Sequence, residues 1–263
     1  MDIPGYRIIR QISRGGLADV YLAEDESRSM QVAVKVVSAF LLALDPSLAE
    51  RFACQGRQLA RLRHPNIVQV YEVGAAAERV FLSMEYMPGG DLKSRMRKSL
   101  SVRETRGILV QLASGLEAVH REKLVHLDIK PANVLFDEYG RAALADFTLV
   151  RFGDTVSTRK RDSMVILGTP HYMSPEQASG NPLDDRSDIY SLGVMLYEML
   201  TGNPPFDDEN LLNIASKHLQ DPFPKLPPHH ALYQPLVDCM TSRNPAARFG
   251  DVRELLHYLK TLP

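Results

Sequence analysis

Apolar and polar positions change their period several times along this 263-residue chain, and the changes outline its elements. Tyr6 to Ile12 alternates loosely, meets the glycine-containing run Ser13-Arg14-Gly15-Gly16-Leu17-Ala18-Asp19, and resumes as Val20-Tyr21-Leu22-Ala23. That pattern predicts strand, turn and strand. In Val32-Ala33-Val34-Lys35-Val36-Val37 the period is two, with Ala33 and Lys35 on one face and Val32, Val34 and Val36 on the other. The period then lengthens. Leu48, Phe52, Gln55, Leu59 and Leu62 recur at spacings of 4, 3, 4 and 3 behind a capping box of Ser47 and Glu50, which predicts a helix. Gln55 sits inside its apolar stripe. Gly56 beside it costs about 1 kcal/mol relative to Ala, which predicts a mobile helix.

His64-Pro65-Asn66-Ile67-Val68 ends the helix and starts a strand pair through Val70–Val73 and Val80–Met84, and Glu85–Leu92 is a breaker-rich connector. Ser101 and Glu104 form a second capping box, ahead of the stripe Leu109, Leu112, Leu116 and Val119 that ends at His120. From Asp188 to Leu200 the helical pattern is apolar nearly all round and closes at Gly202 and Pro204, the mark of a central buried helix. Smaller amphipathic helices follow at 211–219, 236–240 and 252–259.

Composition adds exclusions. With 44% hydrophobic and 24% charged residues the chain reads as soluble and globular. Its net charge of −1 implies no general attraction to nucleic acid or to anionic membrane. No apolar run approaches the roughly eighteen residues of a membrane span, and Met1-Asp2-Ile3-Pro4 does not open like a signal peptide. Two cysteines, Cys54 and Cys239, make no disulfide framework and suit a reducing compartment. Cys54 reads as a small buried or half-buried hydrophobe.

The chemistry concentrates at His126-Leu127-Asp128-Ile129-Lys130-Pro131-Ala132-Asn133. One short loop there carries a carboxylate, an ammonium and a carboxamide. A second acidic point, Asp146-Phe147-Thr148, follows after the apolar run Val134-Leu135-Phe136 and a turn at Asp137–Gly140. A carboxylate able to accept a hydroxyl proton, with an Asn and an Asp able to share hard cations, is the equipment of phosphoryl transfer.

These residues carry a resemblance. The loop resembles the H-R-D-x-K-x-x-N of protein kinases, Asp146-Phe147-Thr148 their D-F-G, Val32–Lys35 their V-A-I-K, and Gly168-Thr169-Pro170-His171-Tyr172-Met173-Ser174-Pro175-Glu176 the segment that closes their activation loop. Along almost its whole length the chain resembles a protein Ser/Thr kinase catalytic domain, most closely the eukaryotic-like (Hanks-type) kinases of bacteria. The resemblance implies an α+β, bilobal fold: a small antiparallel β-sheet N-lobe with helix C to about residue 84, a hinge at 85–91, and a larger mainly α-helical C-lobe over 92–263.

It also implies roles. ATP and Mg²⁺ are the expected cofactors, with Asn133 and Asp146 on the metal. Asp128 receives the hydroxyl proton, Lys130 neutralises the transferred phosphoryl group, and Lys35 reaches the α/β-phosphates. The glycine positions of the phosphate loop fall on Ser13, Gly15 and Ala18. Val20 and Ala33 roof the adenine, Met84 is the gatekeeper, the backbones of Glu85 and Met87 bind adenine, Asp91 lies near the ribose, and Leu135 completes the nucleotide residues. His126 is expected to be neutral and structural, Asp188 to brace the loop backbone, Glu176 to pair with Arg248, and Thr169 to contact Asp128 and Lys130.

The implied reaction is transfer of the ATP γ-phosphate to Ser or Thr of protein substrates, with autophosphorylation, in bacterial signalling; the alternative is a pseudokinase scaffold. Partners suggested at the level of the family are a forkhead-associated-domain protein and a second copy in a dimer. The expected location is cytoplasmic, with a membrane tether in a longer protein. Three departures stand out: Gln55 replaces the Glu that pairs with the strand lysine, Leu127 the Arg of H-R-D, and Thr148 the Gly of D-F-G. Leu127 removes the receiver for a phosphorylated loop, so Thr155, Ser157, Thr158 and Ser163 are not expected to control activity through that site.

Overall fold

The computed structural model describes residues 3–15, 18–38, 42–43, 47–76, 79–147, 150–151 and 170–262. The chain divides into two compact units, Met1–Gly89 with Phe136–Gly140, and Gly90–Leu135 with Arg141–Pro263.

The first unit is built on a five-stranded antiparallel sheet of order β1-β2-β3-β5-β4, from β1 (Tyr6–Arg14), β2 (Ala18–Asp25), β3 (Met30–Val37), β4 (Val70–Ala76) and β5 (Arg79–Glu85). Strand β3 is central, and the period of two read from it decides both faces. Val32, Val34 and Val36 enter an apolar cluster with Ile3, Tyr6, Ala23 and Phe81. On the opposite face Lys35 is the cross-strand partner of Val20 and Leu82, and Ala33 that of Leu22 and Met84. Strand β1, at the sheet edge, is bulged between Ile8 and Arg10 and between Gln11 and Ser13, which disrupts the regular edge that another chain could extend.

Helix α1 (Ser47–Leu59) packs on β4 and β5. It ends short of Leu62 in tighter turns, with Arg61 N–H on the Gln58 carbonyl and Leu62 N–H on the Leu59 carbonyl. One expectation, for Cys54, is corrected here. Gly56 is buried, and a Cβ at its position would lie 2.5 Å from Val73 Cγ2 and 2.9 Å from Leu82 Cδ1. The glycine is what lets α1 approach the sheet. Cys54 is not buried; it is an exposed free thiol, because two residues on from Phe52 the helix has turned roughly 200°.

The second unit is mainly helical. Short α2 (Leu92–Arg95) is capped by Asp91, whose carboxylate accepts the Ser94 N–H at 2.6 Å. Long α3 (Val102–Arg121) opens on the expected capping box: Ser101 Oγ accepts the Glu104 N–H, and Glu104 Oε2 accepts the Ser101 N–H. Strand β6 (Leu124–Val125) pairs with β9 (Val150–Arg151), and β7 (Val134–Phe136) pairs with β8 (Ala142–Leu144). Helices α4 (Pro175–Ser179), α5 (Asp185–Thr201), α6 (Leu211–Gln220), α7 (Gln234–Met240) and α8 (Val252–Thr261) complete it.

Helix α5 is the buried core element. It begins at Asp185, three residues before the apolar pattern, capped by Asp184, and ends at Gly202 in the left-handed conformation with φ +82°. Helices α3 and α7 pack on α5, and α7 comes close because Gly193 has no Cβ to meet Met240. Among the described residues no helix is long and apolar enough to cross a membrane.

Candidate active site

The loop after β6 is held from below by one carboxylate. Asp188 of α5, fully buried, accepts the N–H of His126 on Oδ2 at 2.8 Å and that of Leu127 on Oδ1 at 2.9 Å, while His120 Nε2 lies 2.8 Å from Oδ2. The expected bracing by Asp188 is therefore present, and α3 contributes His120 to it. Burying a carboxylate is tolerable only when its oxygens are satisfied in this way. The bracing holds Leu127 at φ +65°, a left-handed conformation that costs a non-glycine residue roughly 1–2 kcal/mol.

His126 is structural. It is fully buried, and its Nδ1 accepts the Asp128 N–H at 3.2 Å, which leaves the ring proton on Nε2. Burial lowers its pKa despite Asp188 nearby, so the ring is neutral. It stacks on Phe147 with centroids 4.1 Å apart.

Asp128, Lys130 and Asn133 form one hydrogen-bonded group. Lys130 Nζ donates to both Asp128 oxygens, at 2.9 and 2.8 Å. Asn133 Nδ2 donates to the Asp128 carbonyl at 2.8 Å and to Asp128 Oδ2 at 2.7 Å. Asp128 presents only acceptors there, so the carboxamide must turn its NH₂ toward it and keep Oδ1 for a cation. The Asn133 carbonyl accepts the Ala145 N–H at 2.8 Å, which brings the backbone before Asp146 against the same turn. Asp146 is exposed and left-handed at φ +55°, a conformation that Asp tolerates better than most residues. The Asn133 carboxamide and the Asp146 carboxylate each offer the hard oxygen that Mg²⁺ takes alongside water and phosphate oxygens.

The remaining expected residues stand as follows. In the first unit Val20, Ala33, Lys35 and Met84 share one sheet face by register, and Gly56 of α1 lies over Leu82, the cross-strand neighbour of Lys35. Gln55 is half-buried on that helix. Ser13 and Gly15 are exposed and Ala18 is buried around the β1–β2 turn. The Glu85 N–H is given to the Gln69 carbonyl at 2.8 Å, and Met87 is buried. In the second unit Asp91 forms a β-bridge with Leu135. Thr148, Thr155, Ser157, Thr158, Ser163, Gly168 and Thr169 lie outside the described residues.

The expected Glu176–Arg248 pair is present and two-pronged. Two contributions were missed from sequence. His120 joins Asp188, and Gln177 Nε2 donates to the Leu127 carbonyl at 3.0 Å.

Residues 6–259 match the family described as protein kinase domain. The chain belongs to that family. Its sheet-based unit and its helical unit are the two parts of the bilobal kinase fold. This kinase domain is 35% identical over 262 residues to the serine/threonine-protein kinase PrkC of Bacillus subtilis, covering 97% of this chain and 40% of the relative. It is 38% identical over 255 residues to PknL of Mycobacterium tuberculosis, with 94% and 62% covered. It is 34% identical over 252 residues to PknA of the same species, with 93% and 58% covered. The kinase domain thus spans less than two thirds of each of these relatives.

Proposed function

We propose that this kinase domain transfers the γ-phosphate of ATP to Ser and Thr hydroxyls of protein substrates, including its own, in bacterial signalling. The observation that carries the reading is the Asp128–Lys130–Asn133 group on a loop pinned by Asp188. Phosphoryl transfer asks chiefly for alignment and charge neutralisation. Asp128 orients the incoming hydroxyl and takes its proton. Lys130, hydrogen-bonded to Asp128, follows charge onto the transferred group. Asn133 Oδ1 and the Asp146 carboxylate hold Mg²⁺, which when bound neutralises the phosphates.

Nucleotide binding in the first unit falls to the face bearing Val20, Ala33, Lys35 and Met84, with the β1–β2 turn at Ser13, Gly15 and Ala18 and the backbones of Glu85 and Met87; in the second unit the nucleotide residues are Asp91 and Leu135. Gln55 gives Lys35 a neutral acceptor, roughly half as strong as a carboxylate. The proposed division lies at about residue 84, with a hinge over 85–91. A forkhead-associated-domain partner, a dimer and a membrane tether in a longer protein belong to this reading as family-level expectations.

The test is labelled γ-phosphate transfer to the protein itself and to a generic basic substrate, with Asp128→Asn as control. The expected result is Mg²⁺-dependent transfer that the control lowers by at least about 100-fold. Transfer no higher than in the control would favour the scaffold.

A further inference from the structure

Gln177 occupies two structures at once. In the capping box that starts α4, its Oε1 accepts the Ser174 N–H at 3.0 Å and its own N–H goes to Ser174 Oγ at 3.3 Å. Its Nε2 donates to the carbonyl of Leu127, fifty residues back in the chain. The two peptide groups of Leu127 are thereby clamped from opposite sides, the N–H by Asp188 and the C=O by Gln177, in the residue directly before Asp128. One carboxamide thus joins Ser174 and the start of α4 to the loop that carries Asp128.

We propose that Gln177 is a positioning residue for Asp128. It couples segment 174–177 to the catalytic loop through the Leu127 carbonyl. Position 127 has no cation to receive a phosphorylated loop, and the Gln177 link is neutral, so it transmits the order of that segment without needing added charge. Because a carbonyl only accepts, the link depends on a donor at the end of side chain 177. The inference rests on the kinase reading above, and its test is built to fail separately.

Gln177→Glu keeps the capping box, since Glu fills the same position there, but sets a carboxylate oxygen against the Leu127 carbonyl. The expected result is a kcat at least about tenfold lower, with KM for ATP and for a peptide within about twofold, as for a reacting group displaced by less than about 1 Å. Tm should stay within about 2 °C of the wild type, because the cap survives. Amide hydrogen exchange at His126, Leu127 and Asp128 should accelerate. Gln177→Ala, which also loses the side-chain bond to the Ser174 N–H, should show the same kcat loss and a lower Tm. Wild-type kcat in Gln177→Glu, or a lower kcat with unchanged exchange at 126–128, would overturn the proposal. Should the wild type itself transfer no phosphate, the kinase reading fails, and exchange alone decides Gln177: faster exchange in Gln177→Glu supports it and unchanged exchange refutes it.

Discussion

Arg248 and Glu176 form a buried two-pronged ion pair, Nη1 to Oε1 at 2.7 Å and Nη2 to Oε2 at 2.9 Å, which ties the loop before α8 to the first turn of α4. Burial pushes the Glu176 carboxyl up, but Arg248 and Ser187 outweigh it and hold the pKa below the ordinary value. The guanidinium also lies over the Tyr190 ring, 4.9 Å from its centroid. Removing one partner leaves the other charge buried and unpaired. Arg248→Ala should therefore lower unfolding free energy by about 3–5 kcal/mol in denaturant titration. A loss under about 1 kcal/mol would mean that the pair is incidental.

Helix α1 tests whether Gly56 is there for contact. Ala at that position gains about 1 kcal/mol of helix propensity in isolation. Its Cβ would overlap Val73 and Leu82, and overpacking of this kind typically costs about 1–3 kcal/mol. The two effects oppose each other, and the expected net result for Gly56→Ala is a lower Tm together with reduced phosphate transfer, because the helix backs the sheet face bearing Lys35. A higher Tm would contradict the packing account.

His218 gives a pH dependence. Its Nδ1 lies 2.8 Å from the Tyr190 hydroxyl and its Nε2 3.0 Å from the His171 carbonyl, so the neutral ring is used on both sides. Desolvation lowers its pKa from 6.5 to about 4. The unfolded chain therefore binds a proton in this window that the folded chain does not, and stability is lost as pH falls from about 6.5 toward 4 at up to about 1.4 kcal/mol per pH unit. His126 contributes in the same direction. His218→Gln should flatten the slope of unfolding free energy against pH in that window, and an unchanged slope would contradict the assignment.

Gln55 and Leu127 make two predictions about regulation. Gln55→Glu should leave phosphate transfer unchanged or raise it, since under the proposed function residue 55 is the acceptor for Lys35 and Glu would carry a charge; a collapse in rate would mean that Gln55 serves a different geometry. Alanine at Thr155, Ser157, Thr158 and Ser163 together should leave activity standing, and strict dependence on any one of them would refute the argument from Leu127.

Much of this was legible in the chain because the informative residues repeat or punctuate. Strand β3 declares both faces by its own alternation, and Ser101 with Glu104 announces the start of α3 within four positions. What escaped was long-range. Gln177 has a complete local role as a capping residue, which hides its bond to Leu127, and nothing in a leucine signals a positive φ. Gly56 reads as a flaw in a helix until Val73 and Leu82 are known to lie beneath it. Cys54 departs from the average habit of cysteine because it lies roughly 200° around α1 from Phe52, on an exposed side of the helix.

The central claim is that Asn133 and Asp146 hold the metal that serves Asp128. Its most direct test is the initial rate of γ-phosphate transfer as a function of Mg²⁺ concentration, for the wild type and for Asp146→Asn at matched ATP. The account predicts a saturable Mg²⁺ dependence in the wild type and a loss of at least about 100-fold in the variant, as expected when phosphate charge is no longer neutralised. An Asp146→Asn protein that transfers phosphate at the wild-type rate with the same Mg²⁺ dependence would contradict it.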